Sequence, residues 1–193
     1  MKIGVLAMQG AYKEHIDILK RLNVDAIEIR SNKDFDNIDG MIIPGGESTA
    51  MGKLLNVLGI ENKLKDAIKE GMPVWGTCAG MILLANQIDN QEENYLKVMD
   101  ICVKRNAYGR QLGSFRAKEA VKDVGDDIDM VFIRAPYIKS IGNNIDILSV
   151  VDNNIVAARE NNMLVTSFHP ELTEDYRIHK YFINMVKINK GTA

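Results

Sequence analysis

Residues 73–85 run from the short apolar strand Pro73-Val74-Trp75 through Gly76-Thr77-Cys78-Ala79-Gly80 into the apolar, helix-like run Met81-Ile82-Leu83-Leu84-Ala85. This passage constrains the fold more than any other. A strand that turns at once into a helix crowds its own flanks. Glycine two residues before and two residues after the turning residue removes the side chains that would collide. In this setting G-x-C-x-G reads as a nucleophile elbow, which pushes the sulfur out above a sheet and sets it at a helix N-terminus. Free N–H groups and the helix dipole at such a terminus favour thiolate over thiol. The same residues also suit a buried, unreactive cysteine in a tight βα turn.

The rest of the first half repeats the strand–turn–helix rhythm. Ile3 to Ala7 reads as a buried strand, Gln9-Gly10 as a turn, and Tyr12 to Leu22 as a helix with an apolar stripe. Strands follow at Asp25 to Ile29 and at Gly40 to Ile43, the latter ending in Pro44-Gly45-Gly46. Ser48 is placed to cap a helix from about Thr49, and Ile60 to Glu70 forms another that ends at Gly71. Such alternation predicts a parallel sheet covered by helices on both faces.

The second half reads as strands: Val98 to Lys104, Phe115 to Val121, Met130 to Ile133, Ile145 to Val151, Ile155 to Arg159 and Met163 to Phe168. Turns are expected at Gly125-Asp126-Asp127, Gly142-Asn143-Asn144 and Asp152-Asn153-Asn154, the last a hairpin turn. Gln87 to Asn94 reads as a loose loop, and Asp175 to Ile188 as a closing helix.

With 193 residues, no internal repeat and no linker, residues 1–193 are expected to form one domain. A formal net charge of -2 gives no sign of nucleic acid or an anionic membrane surface as partner. No stretch approaches the roughly 20 apolar residues of a membrane span. The opening Met1 to Ala7 is too short for a secretory signal. Two cysteines without such a signal suit a reducing cytoplasm. Three histidines and no C-x-x-C argue against a metal site.

A cysteine nucleophile needs a base, and His169 in Thr166-Ser167-Phe168-His169-Pro170-Glu171 has the most suggestive context. It follows an apolar strand, at the carboxyl edge where open α/β sheets gather their reactive groups. Residues two apart in extended chain point the same way, so Glu171 falls beside His169 and can orient the ring. A satisfied strand-end histidine remains the alternative. His15 reads as a packing or loop-bonding histidine, His179 as a partly exposed helix residue, and Cys102 as a structural mid-strand residue. The turn Pro44 to Thr49 can aim backbone N–H groups at a ligand, whether an oxyanion, a small molecule or a phosphate, or can serve only to turn the chain.

Elbow, glycine turn and His-Pro-Glu together resemble the class I, triad-type glutamine amidotransferases. The chain is more closely similar to the glutaminase subunits of two-protein pyridoxal 5'-phosphate synthases. That similarity rests on Leu6-Ala7-Met8-Gln9-Gly10 with Glu14-His15, on Pro44 to Thr49 and on Gly76 to Gly80. Arg105-Asn106-Ala107-Tyr108-Gly109-Arg110-Gln111, Phe132-Ile133-Arg134-Ala135-Pro136 and Ser167 to Leu172 continue it in order.

The resemblance implies a three-layer, flavodoxin-like α/β fold with a mostly parallel central sheet. It implies hydrolysis of L-glutamine to L-glutamate and ammonia. Cys78 would be the nucleophile, with His169 and Glu171 completing the triad. Gly46, Glu47, Ser48, Arg105, Ile133 and Arg134 would hold glutamine, and backbone N–H groups at Gly46 and Ala79 would form the oxyanion hole. It further implies a (β/α)8-barrel synthase subunit that activates the glutaminase and takes its ammonia. Pyridoxal phosphate would be that complex's product and not a cofactor of this chain. In such a pair the Gly45-Gly46 turn would reach its donor-forward geometry only in the complex, with Gln9-Gly10 near the interface. A glutaminase serving another synthase, such as imidazole glycerol phosphate synthase, and a non-catalytic regulatory subunit are the alternatives.

Overall fold

The structure, a computed structural model, describes residues 1–92, 94–105 and 113–191. Strand and helix alternate through β1 (Lys2–Leu6), α1 (Tyr12–Arg21), β2 (Asp25–Ile29), β3 (Gly40–Ile43), α2 (Ser48–Val57), α3 (Ile60–Lys69), β4 (Val74–Thr77) and α4 (Ala79–Leu84). Strands then dominate: β5 (Ala85–Ile88), β6 (Met99–Lys104), β7 (Ser114–Val121), β8 (Gly125–Ile133), β9 (Tyr137–Ile141), β10 (Asp146–Val151), β11 (Asn154–Glu160) and β12 (Met163–Thr166). A 3-10 turn at Pro170–Leu172 and helix α5 (Arg177–Asn189) follow.

Ten strands make one sheet in the order β2-β1-β3-β4-β12-β11-β9-β6-β5, with β10 also pairing with β11. The run β2-β1-β3-β4-β12 is parallel throughout, as is β5 with β6. The pairings of β11 with β9, β10 and β12, and of β6 with β9, are antiparallel. Strands β7 and β8 form a separate two-stranded ribbon.

The parallel strands are buried on both faces, and their side chains sort by the two-residue period of a strand. Ile3, Val5, Ile42, Trp75 and Leu164 face one core, which α1 closes with Ile16 and Leu19 and α5 with Ile178, Phe182 and Val186. Met41, Ile43, Val74 and Val165 face the other, closed by Met51 and Leu55 of α2, Leu64 and Ile68 of α3, and α4. Each fully buried aliphatic side chain contributes roughly 1.5–3 kcal/mol of burial. The result is the three-layer α/β arrangement expected from the sequence. Among the described residues no helix is long and apolar enough to cross a membrane.

Several local expectations need correction. The apolar run after the elbow is helical only to Leu84, because Ala85 turns extended (ψ 141°) and begins β5 beside β6. The expected loop at Gln87 to Asn94 therefore starts two residues late, after Ile88. Strand β9 was not anticipated; only Ile138 of its five residues is buried, so its apolar signal is weak. Gly125 does not turn the chain but pairs with Val121, and the reversal falls at Lys122 to Val124. The hairpin at Asp152-Asn153 does form, with both residues in the left-handed region (φ 48° and 62°). Strand β12 ends at Thr166, two residues before the predicted end, and α5 starts at Arg177.

Candidate active site

The carboxyl ends of four adjacent parallel strands, β1, β3, β4 and β12, meet at one edge of the sheet. Each carries one piece of the site. The elbow follows β4, and Cys78 there adopts φ 49°, ψ −102°. A non-glycine residue in so sparsely populated a conformation stores about 1–3 kcal/mol. The surroundings leave it no alternative: a Cβ at Gly76 would lie 2.6 Å from the Gly80 backbone, and one at Gly80 would collide with the Ile43 carbonyl. The Cys78 N–H donates to the Thr166 carbonyl (2.8 Å), locking the elbow to β12 in the register that pairs Thr77 with Thr166.

His169 lies just beyond β12, its own N–H donating to Val131 of β8 (2.8 Å). Its ring Nδ1 meets Glu171 Oε1 at 2.7 Å, which leaves Nε2 for the hydrogen bond with Cys78. Cys78, His169 and Glu171 are all buried. Burial works against charge on His169, but the hydrogen bonds to Cys78 and Glu171 outweigh it and raise its pKa from 6.5 to about 10. His169 rests on Gly45, where a Cβ would drive into the ring, and a Cβ on Gly10 would strike the Gly45 carbonyl.

The turn after β3 is built differently. Glu47, and not Ser48, caps α2: its carboxylate accepts from the N–H groups of Thr49 (3.0 Å) and Ala50 (2.7 Å). Those backbone donors, followed by Arg105, hold its pKa below the usual carboxylate range. Gln9 clasps the same turn, accepting from the Glu47 N–H at 3.3 Å and donating to its carbonyl at 3.5 Å. Arg105 donates to Glu47 Oε1 (3.3 Å) and Thr49 Oγ1 (3.5 Å). Ser48 is buried, and its hydroxyl has no hydrogen-bond partner among the described residues.

Between these turns opens a cavity of about 500 Å³. Gly46, Glu47, Ser48, Cys78, Ala79, Arg105, Ile133 and Arg134 line it, so every substrate-side residue named from the sequence reaches one space. His169 and Glu171 stand behind Cys78. The cavity also takes in Gln9, Gly10, Ile82 and Pro136. Gln9-Gly10 and Pro136 sit inside motifs already noted, whereas Ile82 carries no sequence signal beyond its place on α4. Asn106 to Gln111, the remainder of the motif that starts at Arg105, lie outside the described residues.

One histidine departs from expectation, while His15 is the packing residue expected. His179 is fully buried and not partly exposed, with its Nε2 3.0 Å from Nδ1 of the equally buried His15. They are 164 residues apart in the chain, one on α1 and one on α5, so no local pattern could pair them. Cys102 is a partly buried free thiol on β6 and is not among the residues that line the cavity.

The profile of the SNO glutamine amidotransferase family matches residues 5–188. The chain belongs to this family. It is 56% identical over 192 residues to the pyridoxal 5'-phosphate synthase subunit PdxT of Clostridium botulinum (strain Loch Maree / Type A3), covering 98% of this chain and 100% of that one. The Streptococcus pneumoniae serotype 2 protein of the same name is 54% identical, over 97% of this chain and 98% of its own length. A solved structure described as a glutamine amidotransferase superposes with a TM-score of 0.91 at 41% identity, covering 95% of this chain and 98% of that one. Family and fold therefore agree: this is a glutamine amidotransferase with a mostly parallel α/β sheet.

Proposed function

We propose that residues 1–193 act as one glutaminase domain that hydrolyses L-glutamine and hands the ammonia to a synthase subunit making pyridoxal 5'-phosphate. The observation that carries the reading is the buried hydrogen-bonded chain Cys78–His169–Glu171 at the base of the cavity. In this reading the Cys78 thiolate attacks the side-chain amide carbon. The oxyanion is met by N–H groups of Gly46 and Ala79. His169 gives its proton to the departing amine, which leaves as ammonia with a thioester behind. Water then gives up a proton to His169, attacks the thioester and releases glutamate, restoring the thiolate–imidazolium pair. Glu171 keeps the ring oriented and stabilises its positive form.

The mouth of the cavity suits a zwitterionic amino acid. Arg105 offers its guanidinium to a carboxylate, Glu47 offers the opposite charge, and the Ser48 hydroxyl is free to bond. Ile133 and Arg134 complete its lining. The partner is proposed from the names of the relatives, which are subunits of a synthase, together with the resemblance to two-protein synthases. It is a (β/α)8-barrel that activates the glutaminase in the cytoplasm.

The test is ammonia release from glutamine, with and without the barrel synthase. The rate is expected to rise sharply on adding the synthase and to vanish in Cys78→Ala. Undiminished release from Cys78→Ala removes the triad assignment. Activation by a different barrel synthase, and not this one, redirects the partner assignment.

A further inference from the structure

The mechanism leaves two buried, titratable side chains unused, and both point toward the triad from behind. Glu171 has two oxygens. Oε1 takes the His169 Nδ1 proton at 2.7 Å, while Oε2 faces His15 Nε2 at 3.4 Å. Both side chains are fully shielded from solvent, and neither Oε2 nor His15 Nε2 has another hydrogen-bond partner among the described residues. The separation is longer than a relaxed N–H···O bond, so the two atoms face each other without a formed hydrogen bond.

We propose that His15 and His179 are positioning residues for the Glu171 carboxylate. His179 Nε2–H donates to His15 Nδ1, and His15 Nε2–H donates to Glu171 Oε2. The proposal rests on the reading of Glu171 as the acid of the triad.

Tautomer bookkeeping selects this direction. Two imidazole nitrogens 3.0 Å apart need one proton between them. If His15 Nδ1 carried it, the bare Nε2 lone pair would face a carboxylate lone pair. His179 Nε2 would then accept, leaving its Nδ1–H as a buried donor without a partner. The opposite assignment turns the His15 Nε2–H toward Glu171 Oε2, so that once this bond closes the one group left unpaired in the trio is an acceptor, His179 Nδ1. Buried polar groups settle into the arrangement that strands the fewest donors.

The packing keeps the pair uncharged. His15 and His179 sit with Trp75 in edge-on contacts, ring centroids 5.3 and 4.9 Å from it. Burial, then the neighbouring His179 and His169, press the pKa of His15 well below 6.5, and burial holds His179 at about 3. The titratable groups facing His15 are Glu171 and His169 from the turn after β12 and His179 from α5, with Cys78 of the elbow beyond His169. A neutral His15 can hold Glu171 without competing with His169 as a second cation. Loss of that donor frees the carboxylate to rotate and weakens its support of the His169 imidazolium. The thiolate–imidazolium pair is then less populated and is lost at lower pH, because the imidazolium gives up its proton sooner.

The experiment compares His15→Leu, which removes the donor at similar volume, with His15→Gln, which returns an N–H near the Nε2 position. Ammonia release is followed across pH with the synthase present. His15→Leu is expected to lower kcat by roughly ten- to a hundredfold, leave KM for glutamine nearly unchanged, and move the alkaline limb of the profile to lower pH. His15→Gln recovers most of the rate. Equal impairment of both variants, or full activity in both, overturns the proposal. Nitrogen-15 spectra of the unmodified chain test it without any variant: both histidines are expected to carry the proton on Nε2, and an Nδ1–H form of His15 overturns it. Cys78→Ala separates the two readings. If it still releases ammonia, the triad reading fails. If it is dead while His15→Leu is fully active, only the positioning role fails.

Discussion

Two glycine-bearing turns stand side by side at the carboxyl edge of the sheet, and they are built on opposite principles. The elbow after β4 is buried from Gly76 through Gly80, and its neighbours are backbone. The turn after β3 exposes Gly46 and Glu47, and there the neighbours are flexible side chains, Met51, Gln9 and Arg105, while the buried Gly45 before them stays packed against the His169 ring. Backbone cannot move without breaking the sheet, whereas a side chain can change rotamer. The contrast teaches that this site holds Cys78 on a rigid turn and sets Gly46 on one with softer surroundings. Such a division of labour fits the proposed glutaminase, in which a docking partner would complete the oxyanion hole.

Adding one methyl group to each turn is the most direct way to break the comparison. Gly80→Ala sets a Cβ against the Ile43 carbonyl and is expected to destabilise the chain by roughly 2–3 kcal/mol. Gly46→Ala meets Met51 Sδ at 2.9 Å and Gln9 Cγ at 3.2 Å, both able to yield, and should stay within about 1 kcal/mol. Equal losses in urea denaturation would mean that the two turns are equally rigid.

The next effect sharpens the rigid side. The His169 pKa of about 10 depends on Cys78 as well as Glu171. In Cys78→Ala only Glu171 remains to oppose burial, so the His169 midpoint must fall. A ring-proton NMR titration reads this directly. The sign follows from the charge: the imidazolium loses an anionic partner, so it gives up its proton at lower pH. An unmoved midpoint would mean that the cysteine and histidine are not coupled.

The smallest effect tests the adjustable side. Glu47→Ala removes the acceptor for two N–H groups of the first turn of α2 and is expected to cost about 1 kcal/mol. It also frees Arg105, so KM for glutamine should rise while the Cys78 elbow keeps its reactivity toward a glutamine-like electrophile. Loss of labelling at Cys78 would show that the two turns are mechanically coupled.

Much of this arrangement was legible along the chain because it is local. Glycine at 76 and 80 marks a turn that only small residues allow, and two-residue spacing puts Glu171 beside His169. Apolar runs broken by glycine gave the parallel half of the sheet. Strand β9 was missed because a partner strand, and not its own alternation, makes it a strand. The capping role fell to Glu47 instead of Ser48 because the short serine hydroxyl turned inward to the cavity while the longer carboxylate reached the helix N–H groups.

The sequence by itself determined the strand–turn–helix rhythm, the elbow and the pairing of His169 with Glu171, since each depends on residues within a few positions of one another. Only the tertiary structure decided that His15 and His179 meet, and that Glu171 is approached from both sides. Those contacts join helices at opposite ends of the chain. They exist only because α1 and α5 pack on the same face of the sheet and bury two imidazoles against Trp75, where every proton must find a partner.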